Sequence, residues 1–249
     1  MTGRGAGAAV LAAVAASLLV GCSGGTPSDG TVTVLAAASL TEPLTELATR
    51  YQGDHPGTRV RLSFGSSTKL AQQVAQGAPA DLVALAGTAA VEQLPATARD
   101  PARRTTIARN TLGIVTPPDD PGSVSGLADL ARGDLAVVLC VETAPCGAAA
   151  DEVLERAGIR ANVVSREVDV RSTLAKVSLG EADAAIVYHS DVVTAGDRVR
   201  GVPIPGAQNT TLDYPLVRLT DGADAAGFAT LVSGPHGREV LAAAGFLPP

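Results

Sequence analysis

The chain has 249 residues, is 46% hydrophobic and carries a formal net charge of −6. Aromatic residues make up 2% and Trp is absent, so any core is built from Ala, Val, Leu and Ile. An acidic chain with no basic run and few rings for stacking gives no footing for nucleic acid, while its length suffices for one large domain or two small ones.

The first stretch, MTGRGAGAAVLAAVAASLLVGCSGG, reads as a targeting segment. Arg4 supplies the positive start, and residues 5–20 form a small apolar run too short to span a bilayer with flanks. It ends in Leu19-Val20-Gly21-Cys22, which resembles a bacterial lipobox, where the Cys is lipidated and becomes the first residue of the mature chain. The competing reading is an ordinary secretory signal with Cys22 incidental. Small residues running straight into Cys22, and the polar SGGTPSDG after it, favour the lipoprotein. On that reading 1–21 is the signal peptide and Cys22 the lipidation site. Residues 22–30 are a tether, and lipid holds the folded part on the extracytoplasmic face of the cell membrane.

From Thr31 the pattern alternates. TVTVLAA is β-branched and apolar, hence a strand; Leu40, Leu44, Leu47 and Tyr51 then recur at helical spacing to about Gly53. TRVRLSFG alternates as a second strand. The next helix has Leu70, Ala71 and Val74 on one face and stops at Gly77. DLVALAG is a third strand, and 88–94 a short helix. The strand TLGIVTPP and the helix SVSGLADLARG follow. Then come the strand DLAVVLC, the helix GAAADEVLERAGI, the strand ANVVSREVD and the helix VRSTLAKVSLGEA. DAAIVYHSDVV is a buried strand, RVRGVPIP a short one, TLDYPLVRLT the last, and two helices broken at Gly234-Pro235 close the chain. This is α/β with parallel crossovers in two series: 31–110 joined by the returning 207–249 as one lobe, and 111–206 as the other.

In open parallel sheets, ligands sit beyond the carboxyl ends of strands, at the starts of the following helices. That rule selects Ser39 in AAASL, Ser66 and Ser67 in FGSSTKL, the helix start near Cys146-Gly147 and the one near Val170. Each is a helix N-terminus with free N–H groups and positive dipole character. A serine there either caps its helix or faces a ligand, and one residue alone does not separate the two. Cys140 and Cys146 flank a short turn; an exported chain favours a disulfide between them, the alternative being two buried thiols. His55, His189 and His236 are scattered and no metal-ligand spacing occurs. G-x-S-x-G, G-x-G-x-x-G and the Walker loop are absent, and His189 at a strand end is the only candidate base, so an enzyme is not expected.

Five stretches, VTVLAAASLTEPLTELATRY, FGSSTKLAQQVAQGAPADLVALA, ARNTLGIV, DVRSTLAKVSLGEADAAIVYHSD and YPLVRL…GFATLVSGPHGREVLAAAGF, resemble the molybdate-binding proteins of bacterial ABC importers. The resemblance covers nearly all of the chain after the leader. It implies a two-lobed periplasmic-binding-protein fold of type II, each lobe a mixed sheet flanked by helices, with a tetrahedral oxyanion between the lobes. It further implies that the hydroxyls of Ser39, Ser67 and Tyr188 and the N–H groups of Cys146 and Val170 hold the ion. At Cys146 the sequence departs from the small residue, such as Ala, that is more usual in the family; a backbone contact tolerates the change. Ser66 and Gly65 are left as support and as room for close approach, and Lys69 as an outward helix residue.

The implied function is capture of molybdate, or tungstate, by lobe closure and delivery to an ABC permease. The implied protein is a monomer with no cofactor. A receptor for sulfate or another tetrahedral oxyanion, or an oxyanion-sensing module, is the alternative. Molybdate is a fully deprotonated dianion and needs only donors, whereas hydrogenphosphate carries a proton that needs an acceptor.

Overall fold

A computed structural model describes Thr2 and residues 30–249. The signal peptide at 1–21, the lipidation site Cys22 and the tether expected over 22–30 lie outside the described residues, apart from Thr2 and Gly30.

The chain forms β1 (Thr31–Ala37), α1 (Thr41–Asp54), β2 (Arg59–Gly65), α2 (Ser67–Ala75) and β3 (Leu82–Ala84). β4 (Arg104–Thr116), β5 (Val137–Cys140), α3 (Pro145–Arg156), β6 (Val163–Glu167), α4 (Val170–Ser178) and β7 (Ala184–Tyr188) follow. The last elements are α5 (His189–Ala195), β8 (Arg200–Pro203), β9 (Thr211–Arg218), α6 (Ala223–Ser233) and α7 (Pro235–Ala243). The strands lie in the order β2-β1-β3-β9-β4-β7-β5-β6, with β8 also on β4. β1 runs parallel to β2 and β3, and β5 parallel to β6 and β7; β9 and β4 are antiparallel to their neighbours.

The mixed sheets expected in two lobes are thus two wings joined edge to edge through β4. Residues Arg104 to Thr111 of β4 pair with β9, while Leu112 to Thr116 pair with β7 and β8 instead. At the exchange the Asn209 side chain stands in for a strand: its Oδ1 accepts from Leu112 N at 3.0 Å and its Nδ2 donates to Leu112 O at 2.8 Å. No backbone group is orphaned where the ladder changes hands.

Period-two alternation distributes the core. Val32, Val34 and Ala36 of β1 are buried in the main core with Leu44 and Leu47 of α1 and Phe228 of α6. Leu35, Val83 and Val217 are buried in a second cluster, with Leu70 and Val74 of α2 and Val91 and Leu94 beyond β3. The terminal helices return to the first wing, where α6 packs against β1, β9 and α1.

Four local expectations change. DAAIVYHSDVV does not run on as a strand; β7 stops at Tyr188, whose N–H donates to Asp191 Oδ2 at 3.2 Å and caps α5. SVSGLADLARG makes only a 3₁₀ segment over Leu127–Ala131, because Asp129 Oδ2 accepts from both the N–H and the hydroxyl of Ser125 and holds the turn before it. The stretch at 88–94 is likewise 3₁₀ over Thr88–Gln93. β4 begins at Arg104, well before TLGIV, since its first half pairs with the returning β9.

The disulfide between Cys140 and Cys146 is formed and closes the turn from β5 into α3. A loop this short contributes about 2 kcal/mol on the chain-entropy account. Arg166 braces the same turn, donating to Cys140 O at 2.9 Å and pairing with Asp151 of α3 at 2.8 Å and 3.1 Å. Gly147, the third residue of α3, has no room for a side chain: a Cβ there would run into the carbonyl oxygens of Val141 and Cys140. Gly147→Ala should therefore destabilise the protein by about 1–3 kcal/mol, read as a lower Tm in a thermal melt. An unchanged Tm would show that this turn yields freely.

Candidate functional site

The carboxyl ends of β1, β2, β5, β6 and β7 all turn directly into helices, and these turns meet around one small cavity. Its volume is about 20 Å³. That is room for one small ion and far below the ~300 Å³ or more that an organic substrate needs. Ser39 and Ser67 line it from the first wing, and Cys146, Val170 and Tyr188 from the second, so all five residues expected at the site are brought together. Gly65, Ser66, Ala86 and Asp169 complete much of the wall.

Ser67 is the first residue of α2, and its oxygen does not cap that helix. It accepts a 2.8 Å bond from Ala86 N, which leaves its own proton for another acceptor. Ser66 holds the cap position, yet no side-chain cap bond is made at α2. Ser39 sits in a 3₁₀ turn (Ala38–Leu40) ahead of α1, with its hydroxyl 3.0 Å from that of Tyr214 on β9. Both residues are buried.

Cys146 follows Pro145 at the start of α3. Pro has no N–H, so the N–H of Cys146 is the first donor at that helix end. Val170 opens α4, whose cap is the Asp169 carboxylate accepting from Ser172 N at 2.9 Å. That bond turns one oxygen of the carboxylate on the cavity wall toward its helix. Tyr188 is 2% exposed, and its hydroxyl has no hydrogen-bond partner among the described residues. Burial above all, then Tyr214 and Asp191, holds its phenol well above the ordinary range, so it remains a neutral donor.

Behind Tyr188 lies a charged cluster. Asp191 is 1% exposed, and its Oδ1 has no hydrogen-bond partner among the described residues. Burial pushes its carboxyl up to about 7, against the N–H of Tyr188 and the charge of Arg171, while Glu42 and Asp169 push the same way as burial. Arg171 of α4 pairs with Glu42 of α1 at 2.6 Å, so one ion pair ties the two wings beside the cavity. Lys69 is exposed. A Cβ on Gly65 would meet only Leu70 Cδ2, at 3.8 Å, so no protein contact demands glycine there.

A larger groove of about 400 Å³ shares Ala86, Ala144 and Pro145 with the cavity, but Glu152 and Asp213 on its wall suit it poorly to an anion. His189 faces a separate groove with Leu112, Val192 and Asn209. Among the described residues no group of His, Cys, Asp or Glu could hold a metal ion, and no helix is long and apolar enough to cross a membrane. The polar atoms that the cavity offers are therefore chiefly donors without a countercharge, an arrangement for a small, fully deprotonated anion. Sequence reasoning missed Asn110, Asp191 and Tyr214, the buried polar groups behind the wall.

A family model described as bacterial extracellular solute-binding protein matches residues 32–247. The molybdate-binding protein ModA of Mycobacterium tuberculosis is 33% identical over 243 residues, covering 93% of each chain. That of Escherichia coli is 32% identical over 253 residues, covering 97% of this chain and 95% of its own. Among solved structures, the Azotobacter vinelandii periplasmic molybdate-binding protein superposes with a TM-score of 0.77 at 22% identity, over 88% of this chain and 99% of that one.

Two outcomes follow from the buried polar groups. Tyr188→Phe removes a hydroxyl that has no partner, so the ligand-free Tm should hold or rise. The affinity for an oxyanion in a calorimetric titration should fall about ten- to hundredfold, the worth of a hydrogen bond to a charged acceptor. Asp191 titrates near ~3.9 when unfolded and about 7 when folded. Across that window the folded state holds the extra proton, so stability falls as pH rises from about 4 to about 7 and that contribution is gone above it. Thermal melts of Asp191→Asn across the same range should lack this slope; an identical slope would assign it to other groups.

Proposed function

The chain belongs to the bacterial extracellular solute-binding proteins, and from that premise we propose that it captures molybdate, with tungstate as an equivalent ligand, and delivers it to an ABC permease. The observation that carries this reading is the single cavity of about 20 Å³ on which Ser39, Ser67, Cys146, Val170 and Tyr188 converge. Three hydroxyls and two helix-start N–H groups would meet the four oxygens of a tetrahedral dianion. Most of these groups are donors, so a bare oxygen meets more partners here than the O–H of hydrogenphosphate does. The relatives are substrate-binding proteins of transport systems, which fits a site without a nucleophile and base.

The ligand residues come from two bodies, 31–110 with 207–249 and 111–206. Only the closed arrangement lets both bond the same ion, so the ion shifts the equilibrium toward closure and the closed form docks on the permease. The exchange of partners along β4 beyond Thr111 supports a division there. The leader ending in Leu19-Val20-Gly21-Cys22 supports attachment by lipid at the extracytoplasmic face of the cell membrane.

Calorimetric titration of the soluble part with molybdate, tungstate, sulfate and hydrogenphosphate tests this. Molybdate and tungstate should bind tightly and hydrogenphosphate weakly. Tight sulfate binding without molybdate binding would make the protein a sulfate receptor, and no heat from any of the four would remove the oxyanion reading.

A further inference from the structure

We propose that Asn110 and Tyr214, neither of which lines the cavity, set the direction of the Ser39 hydroxyl and thereby select against protonated oxyanions. The inference rests on reading the cavity as an oxyanion site.

It starts from an amide whose orientation the backbone decides. Asn110 is fully buried on β4. Its Oδ1 accepts from Thr111 N at 3.0 Å and from Ser190 N at 3.4 Å. The reversed amide would set its NH₂ against two N–H donors, so Nδ2 has to lie on the opposite side. There it donates to Ser190 Oγ at 2.7 Å and reaches Tyr214 Oη at 3.5 Å.

Tyr214 is also fully buried, and burial holds its phenol far above the ordinary range, so its proton stays in place. The Tyr214 oxygen faces a donor at Asn110, and among the described residues its other hydrogen-bond partner is the Ser39 oxygen 3.0 Å away, so its one proton goes there. Ser39 then has a donor on its inner side and cannot send its own proton back. That hydroxyl makes no other bond among the described residues, and Ser39 lines the cavity, so its proton is directed there. The order Asn110 to Tyr214 to Ser39 to ligand is a one-way chain of donors.

Ser67 reaches the same state by a shorter route, its acceptor side being taken by Ala86 N. Both serines thus present donors, while the Tyr188 hydroxyl is left free to follow the oxygen it meets. Discrimination between a bare oxygen and a protonated one therefore falls on the two serines.

The test compares molybdate, sulfate and hydrogenphosphate affinities by calorimetry at about pH 8, where phosphate is chiefly the hydrogen dianion. Tyr214→Phe keeps the ring and removes the donor, so Ser39 becomes free to accept. Molybdate affinity should fall several-fold, and the molybdate-to-hydrogenphosphate ratio about tenfold. Asn110→Asp reverses the chain: the carboxylate takes the Tyr214 proton, Tyr214 takes that of Ser39, and the cavity loses a donor. Its added charge acts on both dianions alike and cancels in the ratio, which should again fall. In the Tyr214→Phe background, Asn110→Asp should change the ratio no further. A ratio unchanged in both single variants, each shown to be folded by its ligand-free melt, overturns the inference. A wild type that binds sulfate but not molybdate overturns the molybdate reading alone, and the sulfate-to-hydrogenphosphate ratio then decides the chain of donors.

Discussion

A small cavity whose wall carries no cation can meet an anion only with dipoles that are already aimed. In water those dipoles reorient freely; inside a protein they must be built in advance. The cavity between the wings does this with the starts of helices and turns, where backbone N–H groups have no partner of their own. Much of the fold follows from that requirement. Five strands end at one place, and short connections swing each chain end over the cavity. The sheet stays continuous through β4, and the two groups of turns face one another across the cavity.

The same requirement explains why the supporting shell is polar and buried. A hydroxyl can donate or accept, and which it does is decided by its other neighbours. Ala86 N decides it for Ser67, a backbone donor that any residue in that register would supply. For Ser39 the deciding group is the Tyr214 hydroxyl, which itself answers to Asn110. The turn at Cys146 is held differently. A disulfide and the Arg166 bridge to Cys140 O and Asp151 fix the entry to α3, so the first N–H of that helix has little freedom. Cys146 thus has a mechanical part in the turn and also lines the cavity.

The sequence was most legible where the code is local. Strand and helix alternation, the apolar faces of α1 and α2, and the serines and Pro145 at helix starts all follow from spacing and from residue type. The rule that ligands sit beyond strand ends then gathered Ser39, Ser67, Cys146 and Val170; Tyr188 came through the family resemblance. What stayed hidden depends on long-range pairing. β4 reads as polar in RTTIARN, because Asn110 is buried only when β9 returns from a hundred residues away. Tyr214 looks like one more alternating strand residue until Ser39 stands behind the cavity wall. DAAIVYHSDVV kept its apolar run past Tyr188, and only the bond from Tyr188 N to Asp191 shows why it bends. Ser66 and Ser67 share a motif, yet neither side chain caps α2; the helix is started by its neighbours' packing and by Ser66's carbonyl, which accepts from Leu70 N at 3.0 Å.

The Glu42–Arg171 ion pair has a cost as well as a use. It joins α1 to α4 whether or not an ion lies between them, so parting the wings must break it. The Arg171 side chain is 32% exposed and that of Glu42 40%, so dissolved salt weakens the pair. A carrier that shuts on nothing presents an empty load to whatever inspects it. If the wings part to release an ion, a weak latch would leave unladen molecules free to open. Strengthening it would slow unloading before it improved capture.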